Sequence, residues 1–188
     1  YRLHRSQGDE AMATQTLNDA QSAVPESANL KWAAAGEAEQ KGDIDGAIAI
    51  YEGLYEKNSN STVIANNLAS LISTYSEDDV SLQRAYDIAR RLRGTDVAAF
   101  QDTYGWIAHR LGNHEEALEY LEPAAKGLST DPIVQFHVAE NFAALGLGAE
   151  ALGYYQKVVD LVAAGDGPRP PFMDKVEAEI TRLTSEGN

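Results

Sequence analysis

KGDIDGAIAIY, residues 41–51, places a glycine five residues before an alanine, and the same spacing returns in QGDEAMA (7–13), LGNHEEALEYL (111–121) and LGLGAEALGYY (145–155). The glycines, Gly8, Gly42, Gly112 and Gly146, are 34, 70 and 34 residues apart. A fixed period of this size indicates stacked structural repeats. The double-length interval contains ASLISTYSEDDVSLQRAYDIARRL (69–92), where Ala85 supplies the small residue but no glycine precedes it at the same offset.

The segments between these glycines read as helices. Apolar residues follow helical spacing, as in Ala47, Ile48, Tyr51 and Leu54, and no segment alternates in the manner of a strand. A glycine at a helix C-terminus can take positive φ, and a following Asp or Asn can cap the next helix. Each unit is therefore predicted to be helix, tight turn, helix. The small residue early in the second helix permits close helix packing; it recurs at Ala13, Ala47, Ala85, Ala117 and Ala151.

Together these marks resemble those of the tetratricopeptide repeat family. They are a small residue late in the first helix, the turn glycine, and an alanine followed by a large residue in the second helix. The marks fall at Ala35, Gly42, Ala47 and Tyr51; Ala69, Ala85 and Leu92; Gly105, Gly112, Ala117 and Ala124; and Ala139, Gly146, Ala151 and Tyr155. The resemblance implies an all-α fold, a right-handed α-α superhelix (solenoid) with a C-terminal capping helix. The second unit departs from the pattern because it lacks the turn glycine.

The repeats divide the chain into one solenoid domain with six predicted parts. These are a truncated repeat at 1–27, repeats at 28–61, 62–97 (with a longer turn), 98–131 and 132–165, and a capping helix at 171–186. The cap is expected because Met173, Val176, Ile180 and Leu183 share one stripe after the break at GDGPRPP. The opening YRLHRSQ is expected to end a first helix whose beginning precedes Tyr1.

Composition and motifs exclude several functions. Fifteen Lys plus Arg against twenty-nine Asp plus Glu give a net charge of −14, which disfavours nucleic acids and anionic membranes, and no cysteine is present. His114 lacks the second histidine, one helical turn later, that a zinc site needs. The dinucleotide-like GLGAEA (146–151) follows a helix instead of a strand. No nucleophile, base and orienting group can be assembled, so we predict no catalytic residue, metal or cofactor and no enzyme.

Repeat arrays bind partners through a stripe on their first helices, spaced about three, four and three residues apart. The stripe gives a predicted peptide- or protein-binding groove of Asn29, Trp32, Glu39, Val63, Asn66, Ser70, Asp102, Trp106, His109, Phe136 and Glu140. Asn67 and His137 lie one position off the stripe and are left out. Either tryptophan could instead face the core. Some relatives hold a carboxylate with cations in the groove, whereas this stripe is acidic, so the partner is expected to be basic or mixed in charge.

The sequence therefore favours a non-enzymatic scaffold that binds a protein or peptide. The segments NNLASLI, AYDIARRL, DTYGWIAHRLGNHEEALEYLEPAA and DPIVQFHVAENFAALG resemble C-terminal repeats of long bacterial proteins of exopolysaccharide secretion and envelope protein sorting. This resemblance implies a bacterial origin and a role in envelope assembly, in either cytoplasm or periplasm. The alternative is a regulatory or substrate-presenting domain of an enzyme whose catalytic part precedes Tyr1. Self-association is a further possibility, and no stretch is apolar enough for membrane insertion.

Overall fold

The computed structural model describes residues 1–186, which form eleven α-helices and no strand. The helices are α1 (Arg2–Ser6), α2 (Glu10–Ala23), α3 (Ala28–Gln40), α4 (Ile44–Lys57), α5 (Thr62–Tyr75), α6 (Asp79–Ala89), α7 (Ala98–Arg110), α8 (His114–Gly127), α9 (Pro132–Ala144), α10 (Gly148–Ala164) and α11 (Met173–Glu186). A single 3₁₀ turn, Arg90–Leu92, extends α6. The all-α prediction is confirmed within the described residues.

The turns between paired helices are built as predicted at four sites. Gly8, Gly42, Gly112 and Gly146 all have φ between 74° and 81°. The side chains of Asp9 and Asp43 accept the backbone N–H groups of Met12 and Gly46 at 3.1 Å, which caps α2 and α4. Asn113 occupies the same position before α8, but its side chain makes no capping hydrogen bond.

The turn between α5 and α6 needs a correction. We expected it to be longer, yet it holds three residues, 76–78, the same number as between α3 and α4. Extended backbone at Ser76 and Asp78 replaces the glycine, and the Asp78 carboxylate accepts the N–H of Ser81 at 2.9 Å. No residue of 76–78 has a positive φ.

Packing contacts divide the chain into two compact units, Tyr1–Glu77 and a second unit that begins at Asp78. In both units the predicted small residues lie at the helix interfaces, and Ala13, Ala47, Ala85, Ala117 and Ala151 are at most 1% exposed. Gly105 allows a close approach of α7 and α8, because a Cβ atom there would meet Leu121 Cγ at 2.8 Å. In α11, Met173 and Val176 are buried in the core of the second unit, as the predicted cap requires.

Candidate functional site

In the second unit, α7 and α9 are the first helices of successive pairs, and polar side chains join them. Asp102 on α7 lies beside His137 on α9, with the ring Nδ1 at 2.9 and 3.1 Å from the two carboxylate oxygens. The two side chains are only 14% and 12% exposed. Both therefore lie mostly within the junction of the two helices while keeping an edge in solvent.

Trp106 occupies the centre of this junction. Its indole stacks on His137, with ring centroids 4.0 Å apart and planes 12° apart, and on His109, at 4.9 Å and 9°. Phe136 lies 6.2 Å away in a tilted arrangement. The indole is half-buried and packs against the core of the unit. Trp106 therefore lies between the two predicted positions. It contacts core residues, and it also remains partly exposed beside His109 and His137. We call Asp102, Trp106, His109 and His137 the α7/α9 face.

The buried side-chain amide of Asn141 fixes the ring of His109 through a hydrogen bond. The Nδ1 atom of His109 lies 3.0 Å from Oδ1 of Asn141, whose Nδ2 donates to the carbonyl of His114 at 3.0 Å. Burial lowers the pKa of His109, and the nearby imidazoles of His114 and His137 act in the same direction. The hydrogen bond from His109 to Oδ1 of Asn141 and the carboxylate of Glu140 oppose this shift but do not cancel it. His109 therefore favours its neutral form.

Phe136 and Glu140 were predicted to line an open groove, but both are only 7% exposed because the C-terminal segment covers them. Phe172 stacks on Phe136 with centroids 4.7 Å apart, and Lys175 forms an ion pair with Glu140. The hydroxyl of Tyr155 donates to Glu140 at 2.7 Å, and burial together with this carboxylate raises the pKa of Tyr155. In this structure these groups serve to anchor the capping helix.

The first unit brings a second set of predicted residues together. Trp32 packs its ring edge-on against Tyr51 at 5.4 Å, and the Tyr51 hydroxyl donates to Glu39 at 2.9 Å. Asn67 donates to the same hydroxyl at 3.1 Å and accepts from Asn66 at 3.3 Å. Burial raises the pKa of Tyr51 to about 12, so the phenol stays protonated. The other predicted positions of this unit are exposed or half-buried: Asn29, Val63 and Ser70.

Sequence reasoning set aside His137 and Asn67 because they lie one position off the stripe, yet both contact stripe residues or their partners. The sequence spacing of His137 could have indicated its place in this junction. It lies 35 residues after Asp102, one more than the repeat period, so it falls on the side of α9 that meets the preceding first helix. A stripe drawn on each helix alone cannot show contacts between neighbouring first helices.

No helix within residues 1–186 is both long and apolar enough to cross a bilayer. In the same range, no three side chains of His, Asp or Glu are grouped so that they could hold a metal ion.

No protein-family model matches this sequence, and no curated protein matches it either. Solved structures do match. TTC0263, a thermophilic TPR protein of Thermus thermophilus, has a TM-score of 0.65 and 16% identity, over 96% of this chain and 93% of its own. PilW, a widely conserved type IV pilus biogenesis factor, has a TM-score of 0.74 and 14% identity, over 98% and 82%. YrrB, a TPR protein with an unusual peptide-binding site, has a TM-score of 0.61 and 17% identity, over 91% and 83%. These likenesses show the predicted tetratricopeptide repeat fold.

Proposed function

We propose that this chain, which has a tetratricopeptide repeat fold, is a non-enzymatic scaffold that binds a protein or peptide segment on the α7/α9 face. One observation carries the proposal. Two successive first helices bring a carboxylate, an indole and two imidazoles into contact at a surface that stays partly open. Aromatic and polar groups fixed in this way lose little entropy on binding, which favours them as contact residues.

The stripe predicted from sequence extends the same proposal to the first unit. There Trp32, Glu39, Asn66 and Asn67 are half-buried and linked through Tyr51. Amide groups can bond the backbone of an extended peptide, and the half-buried ring of Trp32 adds apolar contact. The likeness to YrrB, a TPR protein with an unusual peptide-binding site, supports such a use of the fold.

The proposal is tested by blocking the face without touching the core. Ala99 is exposed on the stripe of α7, one turn before Asp102, and Ala149 is exposed on α10. Ala99→Arg is expected to abolish capture of a partner isolated from the native cells, while Ala149→Arg leaves capture intact. Both changes add the same side chain at an exposed helical position. Equal capture by the two variants would contradict the proposal.

The envelope role is a second proposal, carried by the likeness to PilW, which covers 98% of this chain. It agrees with the resemblance of the repeat sequences to those of secretion and sorting proteins. Deleting the gene in the native organism is expected to impair assembly or export of an envelope component, measured by surface fractionation. Complementation with Ala149→Arg should restore the component, and complementation with Ala99→Arg should not. An unchanged surface in the deletion strain would remove this role.

A further inference from the structure

Hydrogen bonds fix which ring nitrogen carries the proton in both imidazoles of the α7/α9 face. Because the Nδ2 group of Asn141 donates to the carbonyl of His114, its Oδ1 must be the atom that faces His109. An amide oxygen only accepts, so His109 Nδ1 is the donor. The Asp102 carboxylate likewise only accepts, which makes Nδ1 of His137 the donor there. In the neutral rings, Nε2 then holds a lone pair on both residues.

These two Nε2 atoms are open acceptors. Within residues 1–186 no side chain or backbone group donates a hydrogen bond to either Nε2 atom. Neither atom is among the fully buried side-chain nitrogens and oxygens that lack a hydrogen-bond partner. Both histidines are partly exposed to solvent. The Asp102 carboxylate, which accepts the Nδ1–H of His137, has capacity for further donors, since an ionised carboxylate offers about four lone-pair sites. The unused hydrogen-bonding capacity of Asp102, His109 and His137 on this face is therefore that of acceptors.

We infer that the α7/α9 face binds a cationic, hydrogen-bond-donating side chain, an arginine or a lysine, presented by an extended segment of the partner. This rests on the proposed function and names the chemistry of its partner. A guanidinium or ammonium group carries several donors and no acceptor, so it can bond the Asp102 carboxylate or an Nε2 lone pair of this face. The apolar stem of either side chain can lie along Trp106, which is half-buried.

Charge at larger scale acts in the same direction. The chain has a net charge of −14, so a basic segment is attracted before contact. The nearby cation Lys175 is paired with Glu140 and does not offset Asp102 directly. The field around the face therefore favours a cation over an anion.

The same geometry makes binding sensitive to acid. The titratable and charged groups that face His109 are His114 from α8 and His137 and Glu140 from α9. Asp102 from α7 faces His137. A proton added at Nε2 of His109 converts an acceptor into a donor and adds positive charge. A bound cation would then be repelled, so the complex should dissociate as the pH falls.

The test uses an acetylated and amidated decapeptide of alternating Arg and Ser, with affinity measured by calorimetry near pH 7.5. Asp102→Asn should weaken binding roughly tenfold, whereas Glu119→Gln, which removes an exposed carboxylate on α8, should change it less than about twofold. Binding should also be weaker near pH 5.5 than near pH 7.5. A version with citrulline in place of each Arg should bind weakly. Equal losses in the two variants, or equal affinity at the two pH values, would overturn the inference.

A second measurement on the unaltered chain keeps the inference testable if Asp102→Asn fails to fold. Nitrogen NMR of the imidazole rings should show the Nδ1–H form of His109 and His137, and the Arg peptide should shift both Nε2 signals. The opposite tautomer, or unmoved Nε2 signals in the bound state, would overturn it. If the Arg peptide fails while Ala99→Arg still abolishes capture, the inference falls and the proposed function stands. If Ala99→Arg and Ala149→Arg capture alike, the proposed function fails.

Discussion

Substitutions at two glycines of the second unit distinguish the effect of backbone conformation on stability from the effect of packing. A Cβ at either Gly146 or Gly153 would meet no atom within 4 Å, but Gly146 has φ of +74° in a turn and Gly153 lies inside α10. Gly146→Ala should lower the free energy of unfolding by about 1 kcal/mol, because a Cβ is strained at positive φ. Gly153→Ala should raise it by about 0.5 to 1 kcal/mol, because alanine has the higher helix propensity. Urea unfolding measures both, and changes of the same sign would contradict the assignment.

At the scale of the residue, His109 should make the free energy of unfolding depend on pH. Burial holds its folded pKa below the unfolded value of about 6.5, so the unfolded chain takes up the proton first. The free energy of unfolding should therefore fall as the pH drops below about 6.5, until the pH passes the folded pKa. His109→Gln should lose this part of the dependence, as seen by urea unfolding near pH 7.5 and pH 5.5. A difference between wild type and variant that stays constant with pH would contradict this account.

At the scale of the helix, one stripe of α9 holds residues with opposite roles. Phe136 is 7% exposed and stacks on Phe172, whereas Ile133 is 49% exposed. Phe136→Ala should destabilise the second unit by about 3 kcal/mol through the cavity it leaves. Ile133→Ala should cost less than about 0.5 kcal/mol, as exposed positions do. Thermal unfolding compares the two, and similar losses would show that the capping segment does not cover Phe136.

The order of helices could be predicted from sequence because local physics decides it. Glycine at positive φ, a capping aspartate and a small residue at the helix crossing act within a few residues of each other, so their spacing defines each pair. Which side chains stay open depends on groups far along the chain, and this could not be predicted. Lys175 lies 35 residues after Glu140 and covers it, and His137 lies 35 residues after Asp102 and completes the face. A stripe read on one helix omits both contacts.

At the scale of the whole molecule, the net charge of −14 should govern how binding responds to salt. If the partner segment is cationic, raising the salt concentration from about 0.05 to 0.5 M should weaken binding by slowing association, because screening removes long-range attraction. Stopped-flow or surface-binding kinetics can measure the association rate. A rate that does not change with salt would argue against a cationic partner. Sedimentation over a concentration series should accompany this measurement, since self-association would mask part of the surface.

The central claim, that a partner segment lies on the α7/α9 face, is tested most directly by site-specific photo-crosslinking in the native cells. A benzoylphenylalanine is placed at exposed positions on this side, Ala99 or Ile133, and at exposed controls on the second helices, Glu119 or Ala149. We predict that one and the same partner crosslinks from positions 99 and 133, and from neither control. Crosslinks that form from 119 and 149 while 99 and 133 stay silent would contradict the account.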